Sequence, residues 1–247
     1  MLRTERENKI LTLLEKDGYI SVKVLGEMLF TSESSIRRDL TRLEDAGLIK
    51  RSYGGAELIP SNKKPLPFST RAHNGISEKR IIAKKAVTLV GEGAVIFLDA
   101  SSSSYFLALE LMERGDVTVA TNSVEVLEIL SKGKPVVHSS GGVLSACNRT
   151  CFVGRAAERG FEEMNADIVF FSAKSIGLDG VISDCTQEEV FVRHAMMKNA
   201  ALKVGLFDKS KVGTTAPFKQ CGAGDIDIII CDEPKEAACF SDFCKIL

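Results

Sequence analysis

Six short runs rich in Val, Ile and Phe set the frame for most of this 247-residue chain: Val95–Leu98, Val117–Ala120, Pro135–His138, Ile168–Phe171, Lys203–Phe207 and Ile226–Ile230. A strand with one wet face alternates apolar and polar residues, whereas a near-continuous apolar run needs cover on both faces. Helical patterns lie between the runs, from Ser77 to about Val90, from Tyr105 to Arg114 and from Val124 to Leu130. Strands spaced by helices predict a mainly parallel sheet with helices on both sides, spanning residues 76–247. Ligands of such sheets bind in the crevice outside the carboxyl ends of the strands.

The first 58 residues follow a different period. Arg6, Ile10, Leu13 and Leu14 fall at helical spacing, and Asp17-Gly18 ends that helix. Ser21 is placed to cap a second helix whose apolar side is Val24, Leu25, Met28 and Leu29. Ser32 can cap a third, with Ile36, Leu40 and Leu43 as its stripe and Gly47 as its stop. Leu48–Tyr53 then alternates as a strand, Gly54-Gly55 turns, and Ala56–Ile59 returns. Three short helices and a hairpin make the plan of a winged helix-turn-helix. Pro60, Pro65 and Pro67, with Ser61–Lys64, mark 59–75 as a linker.

Charge is uneven. Residues 1–58 hold ten basic and ten acidic side chains, 59–85 hold seven and one, and 86–247 hold 15 and 22. An acidic body behind a basic neck fits a protein that offers only its front end to a polyanion. No apolar run approaches the roughly 18 residues of a membrane span. Met1–Arg6 leads into a charged periodic segment rather than a signal peptide's apolar core, so a cytoplasmic location is expected. The seven cysteines include Cys147-x3-Cys151 and Cys239-x4-Cys244, without CxxC spacing or a histidine pair. They are read as structural thiols, and no metal or cofactor is expected.

Off the stripe of the third helix stand Ser32, Ser34, Ser35, Arg37, Arg38, Thr41 and Arg42. A helix entering the major groove presents its N-terminal half to base edges, where Arg suits guanine or phosphate and hydroxyls suit phosphate oxygens. Arg51 and Tyr53 beside the glycine tip would give the hairpin a second contact. On a plain solvated helix, Arg37 and Arg38 would instead pair with Asp39 or Glu44. In the second half, Asp99 and the hydroxyls of Ser101, Ser102, Ser103 and Ser104 follow a strand and open a helix, an arrangement suited to phosphate or to a simple capped turn. Thr121-Asn122-Ser123, Gly141-Gly142, Ser172-Ala-Lys174 and Asp208–Lys211 lie at other strand ends, and Gln187-Glu188-Glu189 begins a helix. Convergence of these loops on one crevice is a stronger signal than any of them alone.

Arg6-x3-Ile10-x3-Leu14, Ser32–Leu40 with Leu43-Glu44 and Gly47, and Gly54-Gly55-Ala56 resemble the DeoR family of bacterial transcriptional regulators. Ser35 stands where the family usually has Thr, and Tyr53 where it has His. The Asp99 loop, Thr121-Asn122-Ser123, Gly141-Gly142, Phe152-Val153-Gly154, Glu188-Glu189 and Asp208-x-Ser210-Lys211 extend the resemblance over nearly the whole chain. It implies an α/β fold: a winged helix-turn-helix over 1–58, a basic linker over 59–75, and an effector-binding and oligomerising body over 76–247 similar to ribose-5-phosphate isomerase. It also implies a repressor of a sugar-metabolism operon, released from a double-stranded operator by a phosphorylated sugar and acting as a dimer or tetramer. By position the 101–104 loop would hold phosphate with Lys211 nearby, while Asp99, Lys174 and Glu188 would meet sugar hydroxyls. Thr121, Asn122 and Asp208 complete the expected effector set. The rival expectation is a sugar-phosphate isomerase or deaminase carrying an accessory DNA-binding domain.

Overall fold

The computed structural model describes residues 3–45, 47–59 and 65–247. The chain divides into two compact units, Met1–Ser61 with Ser69–Asn74, and Asn62–Phe68 with Gly75–Leu247.

The first unit contains α1 (Arg3–Asp17), β1 (Tyr19–Ser21), α2 (Val22–Met28), α3 (Glu33–Asp45), β2 (Ile49–Ser52) and β3 (Gly55–Leu58). Ser21 caps α2, its hydroxyl accepting from Val24 N–H at 3.3 Å. Gly47, at φ 69°, ends α3, and Leu48 N–H bonds back to Leu43 carbonyl at 3.0 Å. Ile10, Leu14, Leu25, Ile36, Leu40, Leu43, Ile49 and Ala56 form its core. Val24 and Met28, expected on the buried side of α2, are exposed; Val22 is buried instead. β1 is an addition to the expected hairpin. It pairs antiparallel with β3, giving the order β1-β3-β2. Gly55 permits that pairing, because a Cβ there would stand 2.4 Å from Ile20 carbonyl.

Within the expected linker, Pro60–Lys64 lie outside the described residues. Its later part is not extended: Phe68–His73 form α4. The Ser69 and Thr70 hydroxyls each donate to Asn8 Oδ1 at 3.0 Å, and Thr12 donates to Asn74 Oδ1 at 2.8 Å. Side-chain hydrogen bonds to α1 hold this segment, a signal that proline counting does not carry.

The second unit begins with α5 (Ile76–Val87), β4 (Val95–Leu98), α6 (Ser102–Leu111), β5 (Thr118–Thr121), α7 (Val124–Leu130) and β6 (Val136–Ser139). It continues with β7 (Val143–Leu144), β8 (Phe152–Val153), α8 (Arg155–Glu162), β9 (Ala166–Phe171), β10 (Ser175–Ile176), β11 (Val181–Asp184) and α9 (Gln187–Lys198). β12 (Ala200–Leu206), β13 (Phe218–Gly222), β14 (Ile228–Ile230) and β15 (Lys245–Ile246) complete it. Seven strands form one sheet, ordered β15-β14-β12-β9-β4-β5-β6, with every pair parallel. Period-two alternation divides each strand between two cores. Phe97, Val169, Phe171 and Ile229 pack with Phe161 and Met196 on one face. Ile96, Leu98, Phe170 and Ile230 pack with Ile82, Leu107 and Val126 on the other. β10-β11-β13 and β7-β8 form small antiparallel sheets. The strand order reverses at β4 and β9, which sets a crevice at their carboxyl ends. Among the described residues no helix is long and apolar enough to cross a membrane.

Candidate DNA-reading face and effector crevice

On α3, Ile36, Leu40 and Leu43 are buried as the stripe requires. Asp39 is buried too, fully, and accepts from Arg6 Nε at 2.5 Å and from the Arg42 guanidinium. Arg42 also donates to Glu7 at 2.7 Å. Arg42 is therefore half of a clamp that ties α3 to α1, although it stood among the expected DNA contacts. Ser32, Ser34 and Ser35 are linked by hydroxyl contacts of 3.0–3.1 Å at the exposed start of the helix. Arg37 pairs with Glu33 at 2.7 Å, and not with Asp39 or Glu44. Arg38 lies along Ser34 carbonyl and Ser35 Oγ at 3.4 Å, its guanidinium without a carboxylate among the described residues. Arg51 donates to Thr41 at 2.9 Å and lies 4.0 Å from Glu44. Tyr53 is fully exposed at the hairpin tip, its carbonyl held by Tyr19 Oη at 2.9 Å.

In the second unit, Asp99 follows β4 and is almost fully buried. Its Oδ1 accepts from Ser101 N–H at 3.2 Å and Ser104 Oγ at 2.6 Å. Its Oδ2 accepts from Ser172 N–H at 3.2 Å. Asp99 thus holds the turn and joins the ends of β4 and β9. Ser101 caps α6, accepting from Ser104 N–H at 3.0 Å. Ser101 and Ser104 are engaged in the turn. Ser103 differs: its hydroxyl is buried with no hydrogen-bond partner among the described residues. Thr121 accepts from Ser123 N–H at 3.0 Å, and Asn122 donates to Phe152 carbonyl at 3.0 Å. Asn122 Oδ1 and Thr186 Oγ1 are further buried atoms without a partner among the described residues. Such atoms are rare in a finished core and common where a ligand completes the bonding.

Lys211, beyond β12, donates to Ala173 carbonyl at 2.7 Å. Burial lowers its pKa to about 8, opposed by Asp208 and reinforced by Lys79 and Lys174. Asp208 accepts from Ser210 N–H at 3.1 Å. Burial would raise its pKa, but Lys211, Ser210 and Lys79 bring it below the usual value. Lys79, buried in the first turn of α5, did not stand out in the sequence. Its apolar neighbours on α5 are the only local hint that it faces inward. Three lysines and the amino end of α6 make the crevice suited to an anion.

Two more carboxylates lie at the start of α9. Glu188 accepts from Ser145 Oγ at 3.4 Å, and Glu189 from Asn148 Nδ2 at 3.3 Å. Arg193 of α9 is almost fully buried and gave no signal of this in the sequence. It donates to Asp184 at 2.6 Å and Ser172 carbonyl at 2.8 Å, and lies 3.8 Å from Asp99 and 3.7 Å from Glu189. Burial opposes its charge, but the three carboxylates more than restore it and raise its pKa. Its i,i+4 spacing to Glu189 was readable; its partners on β4 and β11 were not.

Residues 6–62 match the DeoR-like helix-turn-helix domain, and residues 74–233 match the DeoR C terminal sensor domain. The chain belongs to the DeoR family of transcriptional regulators. It is 34% identical to the HTH-type transcriptional regulator GolR of Listeria innocua, over 98% of this chain and 96% of that one. It is 29% identical to the transcriptional repressor AccR of Agrobacterium fabrum, over 92% and 89%. It is 30% identical to the L-fucose operon activator of Escherichia coli, over 96% and 98%. Among solved structures it is similar to ribose 5-phosphate isomerase A of Methanocaldococcus jannaschii, at 21% identity over 54% of this chain and 53% of that one. The TM-score of that match is 0.41. DeoR membership makes this protein a DNA-binding regulator and not an enzyme.

Proposed function

We propose that this DeoR-family protein represses a sugar-metabolism operon and leaves its operator when a phosphorylated sugar fills the crevice. One observation supports the reading: the loops at the strand ends bring lysines, buried hydroxyls and carboxylates together. Lys79, Lys174 and Lys211, and the start of α6 with Ser102 and Ser103, offer cations and donors. Glu188 and Glu189 at the start of α9 offer acceptors. A phosphate joined to a polyol matches both. The L-fucose operon activator and the repressor AccR support a sugar operon and a repressing sense respectively, each by its name alone. Arg37, Arg38, Ser34, Ser35 and Tyr53 are the proposed operator contacts, with Ser32 and Arg51 on the phosphate backbone. A homodimer would present two heads to paired half-sites, and the effector shifts the population between DNA-competent and DNA-free arrangements.

Thermal shift of the full chain tests the site, against a panel of phosphorylated sugars, their unphosphorylated parents and inorganic phosphate. A true effector at 100 times its Kd adds about 2.7 kcal/mol of stability. The same compound must then release a selected DNA duplex in fluorescence anisotropy. No stabilisation by any phosphorylated sugar, or equal stabilisation by phosphate alone, overturns the proposal.

A further inference from the structure

Two non-glycine residues among those described have positive φ, Phe30 at 50° and Tyr53 at 31°. Both are aromatic, both lie in the DNA-binding unit, and both are fully exposed, at 97% and 105% of a free side chain. Tyr53 is at the hairpin tip. Phe30 is in the turn between α2 and α3, two residues ahead of Ser32.

The turn explains the backbone of Phe30 but not its side chain. Thr31 N–H bonds to Gly26 carbonyl at 2.9 Å and Phe30 N–H to Glu27 carbonyl at 3.3 Å. These are the paired bonds of a Schellman stop, which puts Phe30 at the left-handed position where glycine is favoured. The stop is tight: a Cβ on Gly26 would stand 2.9 Å from Thr31 carbonyl. A bulky residue in the left-handed region is strained, and an aromatic ring in water forgoes the burial that would offset the strain. Nothing in the fold of this unit is gained in return.

We propose that Phe30 is an operator contact, its ring packed on the 5-methyl group of a thymine beside the bases met by α3. The position fits, since a helix-turn-helix brings the start of its recognition helix to the base edges. The chemistry fits too, because thymine's methyl is the apolar feature of the major groove and Phe is a side chain suited to it. The inference rests on DNA binding by the DeoR head and is independent of the effector.

The test uses the full chain and a duplex selected from a random-sequence library. Binding of that duplex by the wild type establishes DNA reading separately from any role of Phe30. Each thymine is then replaced by deoxyuridine, which removes only the methyl. For the wild type, affinity should fall about four-fold at one position per half-site, the worth of one buried methyl. Phe30→Gly should bind the parent duplex more weakly, lose that sensitivity, and melt no lower than wild type, because glycine suits the turn. Phe30→Leu should retain part of the sensitivity. A wild type indifferent to every replacement overturns the proposal. So does a Phe30→Gly variant with unchanged affinity and sensitivity, or one whose weaker binding accompanies a lower melting temperature.

Discussion

Arg193 offers the most demanding check on the crevice. Replacing it with Met conserves much of the volume but leaves Asp184, Asp99 and Glu189 without their shared cation. Removing one partner of a buried ion pair costs about 3–5 kcal/mol, because the remaining charge stays in a poorly hydrated site. For a domain of this size that is a fall in Tm of roughly 6–20 °C. The pH dependence distinguishes this cause from simple loss of packing. In the wild type, burial raises the Asp184 pKa, but Arg193 and the Cys185 N–H more than reverse it, so the value lies below the ordinary 3.8. A depressed carboxylate contributes stability that is complete above its unfolded pKa and is lost as pH falls through the folded value. In Arg193→Met the burial contribution loses its main opponent, and the Asp184 pKa should rise from its wild-type value. The variant should therefore gain stability relative to wild type as pH falls from 7 towards 4.5, narrowing the Tm gap. Scanning calorimetry of both proteins across that window, with Arg193→Met/Asp184→Asn as a partial rescue, measures it. A gap under about 3 °C, or one constant with pH, refutes the reasoning.

Other outcomes follow from the same contacts. An anionic effector restores the depressed Lys211 pKa, so affinity should decline as pH rises past about 8, with proton uptake on binding; calorimetry in buffers of different ionisation enthalpy reads this, and Lys211→Met should remove the slope. Asp39→Ala should destabilise the head by about 1–3 kcal/mol in denaturant unfolding, since Arg6 and Arg42 lose their shared acceptor but retain access to water. Iodoacetamide should label exposed Cys147 and Cys239 first in mass spectrometry, and Cys221 and Cys231, pushed up to about 12 by burial, far more slowly. Effector should protect Cys147 selectively, because its N–H is held by Ser145, which contacts Glu188.

Much of the crevice was readable because it is built at strand ends. The runs at 95–98, 168–171 and 203–207 announce strands, so Asp99, Lys174 and Lys211 had to follow them. What each side chain does there was not readable. Asp99 accepts from Ser104 within its own turn and from Ser172 73 positions away, and the hydroxyl left without a partner among the described residues is that of Ser103. Arg193 and Lys79 carry no signal in the sequence, because a charged residue on a helix is ordinarily at the surface. Likewise no local signal shows that Arg42 pairs with Glu7 and Asp39.

By itself, the sequence determined the local periods. Apolar stripes produce three short helices and a hairpin, continuous apolar runs produce a covered parallel sheet, and the RRD stretch with its glycine-tipped hairpin points to the DeoR family. These depend on interactions within a few residues and on hydrophobic burial, which are written in spacing. Tertiary structure decided which charges are buried in pairs, which hydroxyls remain unsatisfied, and that part of the expected linker folds back on α1. It also showed that Phe30 is held out in water by a helix stop made for glycine. Those outcomes depend on partners tens of residues away and on access to solvent, and neither is encoded in any single stretch of the chain.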